Sequence, residues 1–163
     1  MMLYIIRHAW AEERGEAWPV DTERPLTEEG RERFARLVKL LAERGFAPEL
    51  IATSPLVRCK QTAQIVAKHC SGKPRVVERP ELAPDSDVEG ILRWTCREAD
   101  DREQVAWVGH APDVNHMAAI LVGDGSGMIH FAKGAVAAIR FDGPPALRQG
   151  ELCWLVTAKI LGC

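Results

Sequence analysis

Short apolar runs alternate with longer amphipathic segments along the whole sequence, an order that few folds accommodate. The first run covers residues 2–6, and we interpret five later runs as strands as well: residues 49–53, 75–78, 104–108, 135–141 and 152–158. Between the first two runs, the apolar residues Phe34, Leu37 and Leu41 recur at helical spacing. The pattern predicts an α/β fold in which helices cover a six-stranded sheet.

Hydroxyl and proline residues mark where the helices should begin. Thr27 can cap a helix whose first turn is acidic. Ser54 followed by Pro55 predicts a second helix, with a capping hydroxyl and a proline at the first helical position. Ser86 can cap a third helix, and Pro112 can start a fourth that a glycine-rich turn closes. Each predicted helix thus lies between two of the predicted strands.

The composition is that of one globular domain and argues against several classes of partner. The chain has 163 residues, 47% of them hydrophobic, and can bury a core without disulfides or metal, so we expect one domain over residues 1–163. The formal net charge of −2 gives no basic field to attract nucleic acid. No apolar run suits a secretory signal or a membrane span. Five scattered cysteines without a zinc or redox spacing fit a reducing cytoplasm, where we expect the protein to act.

Two predicted strands end on a histidine. Arg7 and His8 follow the first strand, and His110 follows the fourth. If these strands are parallel neighbours, both imidazoles reach one crevice at the carboxyl edge of the sheet. Arg58 lies about one turn into the second predicted helix, where free N–H groups favour an anion. These groups suit a phosphate dianion, and because no acidic cluster lies near them to hold Mg²⁺, we expect neither a metal nor a cofactor.

The same segments resemble a known protein family. Arg-His-Ala at residues 7–9 is similar to the Arg-His-Gly signature of the histidine phosphatase, or phosphoglycerate mutase-like, superfamily, with alanine where glycine is usual. Further motifs resemble its small bacterial branch, the SixA-type phosphohistidine phosphatases: RPLTEEG at 24–30, SPLVRCKQT at 54–62, PEL at 80–82 and GHAP at 109–112. The resemblance runs in order from residue 2 to about residue 141. It implies a phosphoglycerate mutase-like fold, a three-layer α/β/α sandwich with a mostly parallel six-stranded sheet.

The resemblance also implies roles for individual residues. His8 becomes the nucleophile that accepts the phosphoryl group. Arg7, Arg58 and His110 bind that group. Elementary chemistry agrees, because a neutral imidazole can attack phosphorus while guanidinium groups neutralise the equatorial oxygens, and water can later cleave the phosphohistidine.

The sequence does not identify the general acid. Three loop carboxylates are candidates: Asp21, Glu81 and Asp85. Asp21 precedes Arg24 at a spacing similar to that of the small branch, in a loop expected to cover the pocket. We take Asp21, Arg24 and Glu81 as candidates for substrate binding or for the acid. A weak acid would suit a phosphoramidate, whose imidazole leaving group needs little protonation, better than a phosphate ester.

Three functions are compatible with these residues. The first, which we favour, is a SixA-like phosphohistidine phosphatase acting on a phosphorylated protein such as a histidine phosphotransfer domain; a shallow, open site would suit it. The second is a phosphomonoesterase of the same superfamily acting on a small phosphate ester, which needs a competent acid and a deeper pocket. The third is a non-catalytic phosphate-binding module, for which the alanine at position 9 and the unidentified acid are the arguments. A mutase is disfavoured because it has to hold a second phosphate.

Overall fold

A six-stranded sheet organises the computed structural model, which describes residues 1–99 and 101–163. The strands are β1 Met2–Arg7, β2 Leu50–Thr53, β3 Arg75–Glu78, β4 Gln104–Gly109, β5 Val136–Arg140 and β6 Glu151–Val156. The helices between them are α1 Glu28–Ala42, α2 Val57–His69, α3 Val88–Glu98 and α4 Asp113–Val122. Short 3-10 turns cover Asp21–Glu23 and Pro80–Leu82. None of the described helices is long and apolar enough to cross a membrane.

The strands follow the spatial order β3-β2-β4-β1-β5-β6. β3, β2, β4 and β1 are parallel to one another, and in chain order a helix connects β1 to β2, β2 to β3 and β3 to β4. β5 runs antiparallel to both of its neighbours, β1 and β6. The expected mostly parallel six-stranded sheet is confirmed, with β5 as the strand of opposite direction.

Alternate residues of each strand face opposite layers of helices. One hydrophobic cluster joins Leu3 and Ile5 of β1 to residues of α3 and α4. The other cluster joins Ile6 to residues of α1 and α2. All three side chains are fully buried, and burial of each contributes about 1.5–3 kcal/mol. The three-layer α/β/α arrangement follows from this alternation and is confirmed.

Two helices begin with a side-chain cap, one as expected from the sequence. Thr27 caps α1, since its hydroxyl accepts a hydrogen bond from the Gly30 N–H at 3.0 Å. The prediction that Ser86 caps α3 was wrong. Asp87 takes this place, and its carboxylate accepts from the Gly90 N–H at 2.8 Å. A carboxylate is the stronger acceptor at a helix N-terminus, and Asp87 precedes Gly90 by the three residues that capping requires.

The predicted start of α2 was also wrong. The helix begins at Val57 rather than at Pro55, and Leu56 stands at its N-cap without a side-chain hydrogen bond. The Ser54 hydroxyl lies instead 2.8 Å from Nε2 of His110. Ser54 therefore belongs to the crevice at the end of the strands rather than to the helix.

Candidate active site

Three neighbouring strands end side by side and position the groups that the sequence singled out. Ser54, His110 and His8 follow the carboxyl ends of the parallel strands β2, β4 and β1. The main-chain N–H of His8 donates to the Gly109 carbonyl at 3.0 Å and so continues the strand pairing. The ring centroids of His8 and His110 are 5.3 Å apart, and both residues are buried. The fold thus brings together two histidines that are far apart in the sequence.

His8 is held in one tautomer by its own loop. Its Nδ1 lies 2.7 Å from the Ala9 carbonyl oxygen. A carbonyl can only accept, so Nδ1 carries the proton and Nε2 keeps a free lone pair. Burial lowers the pKa of His8 to about 3, assisted by the charges of His110, Arg58 and Arg7 and opposed by the Ala9 hydrogen bond. His8 is therefore neutral at physiological pH, the state in which an imidazole can act as a nucleophile.

The loop that carries His8 is fixed against α2. The Ala9 N–H donates to Thr62 Oγ1 at 3.1 Å, and that hydroxyl donates to the Arg58 carbonyl at 2.7 Å. Ala9 is buried in the cluster beneath α1 and α2, and its φ is not positive, so the backbone does not require glycine here. Alanine at position 9 is therefore compatible with the geometry of the imidazole beside it.

The two arginines are anchored but keep hydrogen-bonding capacity. Nη1 of Arg7, the last residue of β1, donates to the Phe131 carbonyl at 2.7 Å. Arg58, in the first turn of α2, donates from Nη1 to the Asp21 carbonyl at 2.8 Å and from Nη2 to its carboxylate at 3.0 Å. Within residues 1–99 and 101–163, two buried side-chain polar atoms have no hydrogen-bond partner: Nε of Arg7 and Nε of Arg58. Buried donors of this kind are rare, and a guanidinium N–H is well suited to an oxyanion acceptor.

Asp21 lies at the centre of a cluster of arginines. Its Oδ1 accepts from Arg14 at 2.8 Å and from Arg24 at 2.9 and 3.0 Å, while Oδ2 accepts from Arg58. Burial alone would raise the pKa of Asp21, but these hydrogen bonds and the charge of Arg58 lower it to about 2. The carboxylate is ionised at neutral pH and is a poor proton donor.

Two of the other candidates for the acid or for substrate binding, Arg24 and Glu81, have partners of their own. Arg24 donates hydrogen bonds from Nε and Nη2 to the Asp21 carboxylate. The Glu81 carboxylate accepts two hydrogen bonds from Arg79 and none from the four residues of the proposed phosphoryl site. Asp85 lies in the loop after the second 3-10 turn, with a φ of 64°. Asp21 and Glu81 are thus both engaged by arginines.

Two contacts of the site were missed by the sequence analysis. Thr62 was not assigned a role, and Ser54 was interpreted as a helix cap. Both lie in the 54–62 segment that carries the family resemblance, so a signal was present. Their partners, Ala9 and His110, lie more than 50 residues away along the chain, and local sequence rules do not reveal such pairs.

The part of the chain that the structure describes assembles no set of metal ligands. No group of three or more histidine, cysteine, aspartate or glutamate side chains in residues 1–99 and 101–163 is placed to hold a metal ion. The chemistry available from this chain's own residues is that of two neutral imidazoles and two guanidinium groups.

Comparisons with known proteins point in one direction. Residues 3–140 match the sequence model of the histidine phosphatase superfamily (branch 1). An uncharacterised protein of Picosynechococcus sp. (strain PCC 7002) is 35% identical over 143 residues, covering 86% of this chain and 85% of that protein.

Solved structures share the fold over nearly the whole chain. The protein histidine phosphatase SixA complexed with tungstate has a TM-score of 0.85 at 24% identity, covering 99% of both chains. The protein of Agrobacterium tumefaciens that carries the name SixA has a TM-score of 0.76 at 24% identity, covering 96% of this chain and 97% of its own. A mycobacterial glucosyl-3-phosphoglycerate phosphatase is more distant, with a TM-score of 0.67 at 14% identity, covering 94% and 97%. At these identities the likeness establishes the fold.

Proposed function

The chain belongs to the histidine phosphatase superfamily, branch 1, and is a phosphatase; on that premise we propose that its substrate is a phosphohistidine on a protein. The observation that carries the proposal is the state of Asp21. This carboxylate, which contacts Arg58 of the site, is bound by three arginines and held ionised. A site without a usable acid suits a leaving group that needs little help from the enzyme.

The reaction begins with the free lone pair of His8. Nε2 attacks phosphorus, a new N–P bond forms, and the P–N bond to the substrate imidazole breaks. Solvent can protonate the substrate ring on its second nitrogen near neutral pH, so that the ring leaves as neutral imidazole. Water then attacks phospho-His8, which releases inorganic phosphate and restores the neutral nucleophile.

The guanidinium groups supply the charge that this transfer needs. Arg7 and Arg58 each hold a buried Nε–H without a protein acceptor, and the phosphoryl oxygens would accept from both. The structural relative SixA was solved with tungstate, a tetrahedral oxyanion, which supports an anion site of this kind. A phosphotransfer protein as partner would suit this chemistry, because its histidine side chain carries the phosphoryl group at the surface.

A phosphomonoesterase acting on small esters is the weaker candidate. An alkoxide leaving group needs a proton donor, which typically contributes 10²–10⁴-fold to the rate. Asp21 is ionised and Glu81 is bound to Arg79, so neither suits that role. The non-catalytic alternative loses one of its two arguments, since Ala9 leaves the geometry of His8 intact.

A substrate panel tests the proposal. The enzyme is assayed at equal concentrations of a phosphohistidine protein, phosphoserine and a small sugar phosphate, with the His8→Ala variant as the control for spontaneous hydrolysis. We expect kcat/KM for phosphohistidine to exceed that for the alkyl esters at least about a hundredfold, the size of a typical general-acid contribution. Equal or faster hydrolysis of an alkyl ester would favour the phosphomonoesterase.

A further inference from the structure

The second imidazole of the site has an unusual set of neighbours. Nε2 of His110 lies 2.8 Å from Ser54 Oγ and 3.4 Å from the sulfur of Cys59. Within the described part of the chain, the one hydrogen-bonding contact of Nδ1 is with the same sulfur, at 3.9 Å. His110, Ser54 and Cys59 are all buried. The protonation pattern of the ring is therefore decided by these neighbours rather than by water.

The hydrogen-bond inventory of Ser54 favours one arrangement. The Leu56 N–H donates to its hydroxyl oxygen at 3.4 Å, so the hydroxyl hydrogen is free to be donated elsewhere. The unprotonated Nε2 of a neutral imidazole is a strong acceptor at 2.8 Å, whereas sulfur accepts hydrogen bonds weakly. If Nε2 carried the proton instead, the Ser54 hydroxyl hydrogen would turn to the Cys59 sulfur. A buried hydroxyl would then have a weak sulfur acceptor in place of a strong imidazole nitrogen.

Neutrality of the ring makes the choice of tautomer meaningful. Burial lowers the pKa of His110 to about 4, together with the charge of Arg58 and against that of Asp21. Burial likewise raises the pKa of the Cys59 thiol to about 12, although Arg58 and Ser54 act in the opposite direction. A neutral thiol beside a neutral imidazole competes little with a hydroxyl donor.

We propose that Ser54 is a positioning residue, which donates its hydroxyl hydrogen to Nε2 of His110 and thereby places the ring proton on Nδ1. Nδ1–H is then the one donor of the neutral ring, and its protein contact is a weak sulfur acceptor. A phosphoryl oxygen replaces that contact readily. The inference rests on the proposed function for this last step, because it assigns Nδ1–H as the donor to the transferred group.

The tautomer can be read directly by ¹⁵N NMR of the histidine rings in the ligand-free, full-length protein. An unprotonated ring nitrogen has a characteristic shift, and two-bond correlations to the ring protons assign it to Nε2 or Nδ1. We expect an unprotonated Nε2 for His110 in the wild-type protein and in Cys59→Ala, a control that removes the sulfur but keeps the hydroxyl. In Ser54→Ala we expect both tautomers or a protonated Nε2, and Ser54→Thr should restore the wild-type pattern.

Turnover of a phosphohistidine protein supplies the second readout. Loss of one net hydrogen bond corresponds to about tenfold, so we expect kcat of Ser54→Ala to fall by about that factor with a smaller change in KM. A wild-type His110 protonated at Nε2, or a Ser54→Ala protein that keeps the Nδ1–H tautomer, would overturn the inference. If Ser54→Ala does not fold, the wild-type spectrum still decides. An Nδ1–H tautomer in a protein that hydrolyses no phosphohistidine would support the role of Ser54 and contradict the proposed function alone.

Discussion

Replacing Asp21 by asparagine distinguishes between two roles for its side chain, that of a general acid and that of a residue that orients Arg58. The substitution keeps the shape and one oxygen acceptor but removes the negative charge shared by three arginines. Arg58 has the most to lose, since its side chain is 4% exposed and its Nη2 donates to the carboxylate; the bond from Nη1 to the main-chain carbonyl of Asp21 is kept.

The expected loss of stability is modest. A hydrogen bond to a charged group contributes about 1.5–3 kcal/mol, and the exposure of 32% of the Asp21 side chain reduces this through competition with water to about 1–2 kcal/mol. For a chain of this size the melting temperature should fall by about 2–8 °C. The folded-state pKa of Asp21 is about 2 against an ordinary 3.8, so the wild-type advantage is present above pH 4 and is lost as the pH falls through the folded value. Glu98→Gln, which removes the charge from the exposed pair with Arg75, is the matched control and should cost less.

Activity decides the role of the carboxylate. If Asp21 orients Arg58, the asparagine variant should lose kcat/KM by the same factor, about tenfold, for phosphohistidine and for an alkyl phosphate. Steady-state assays of both substrates with the wild type, Asp21→Asn and Glu98→Gln measure this. A loss of 10²-fold or more confined to the alkyl ester would show that Asp21 is a general acid and would refute the reasoning.

Three further predictions follow from the site. Arg58→Lys should weaken competitive inhibition by tungstate at least about tenfold, because an ammonium group cannot keep the contacts with Asp21 and also supply the Nε–H donor. Unchanged inhibition would place the anion elsewhere. Lowering the pH from 7 to 5 should lower the free energy of unfolding by up to about 1.4 kcal/mol per pH unit for each histidine, because the pKa of His8 and that of His110 lie below the ordinary 6.5 and the unfolded chain binds the protons. Urea titrations should show a smaller loss for His8→Asn. Activity should survive a chelator, and loss that Mg²⁺ restores would contradict a metal-independent mechanism.

The sequence predicted much of the fold because its elements obey local rules. Every strand and helix was expected within a few residues of its observed bounds, since apolar runs and helical periodicity report directly on burial in the sheet and its covering layers. The rule that ligands bind at the carboxyl ends of parallel strands also predicted that His8 and His110 lie near each other if their strands are parallel neighbours, and β1 and β4 are.

Long-range polar pairs account for what the sequence did not predict. The Ser54 hydroxyl could have capped α2, and only the tertiary fold shows that it contacts His110 instead. The state of Asp21 likewise depends on Arg58, 37 residues further along the chain. A short polar side chain has several possible partners, and the three-dimensional arrangement chooses among them.

Trapping the phosphoenzyme decides whether His8 is the nucleophile. The wild-type protein is mixed with a phosphohistidine protein, quenched during turnover under alkaline conditions that preserve phosphohistidine, and mapped by mass spectrometry. We expect an acid-labile phosphoryl group on His8, and His8→Ala should show neither this adduct nor turnover above the spontaneous rate. A phosphoryl group on another residue, or full activity of His8→Ala, would contradict the mechanism.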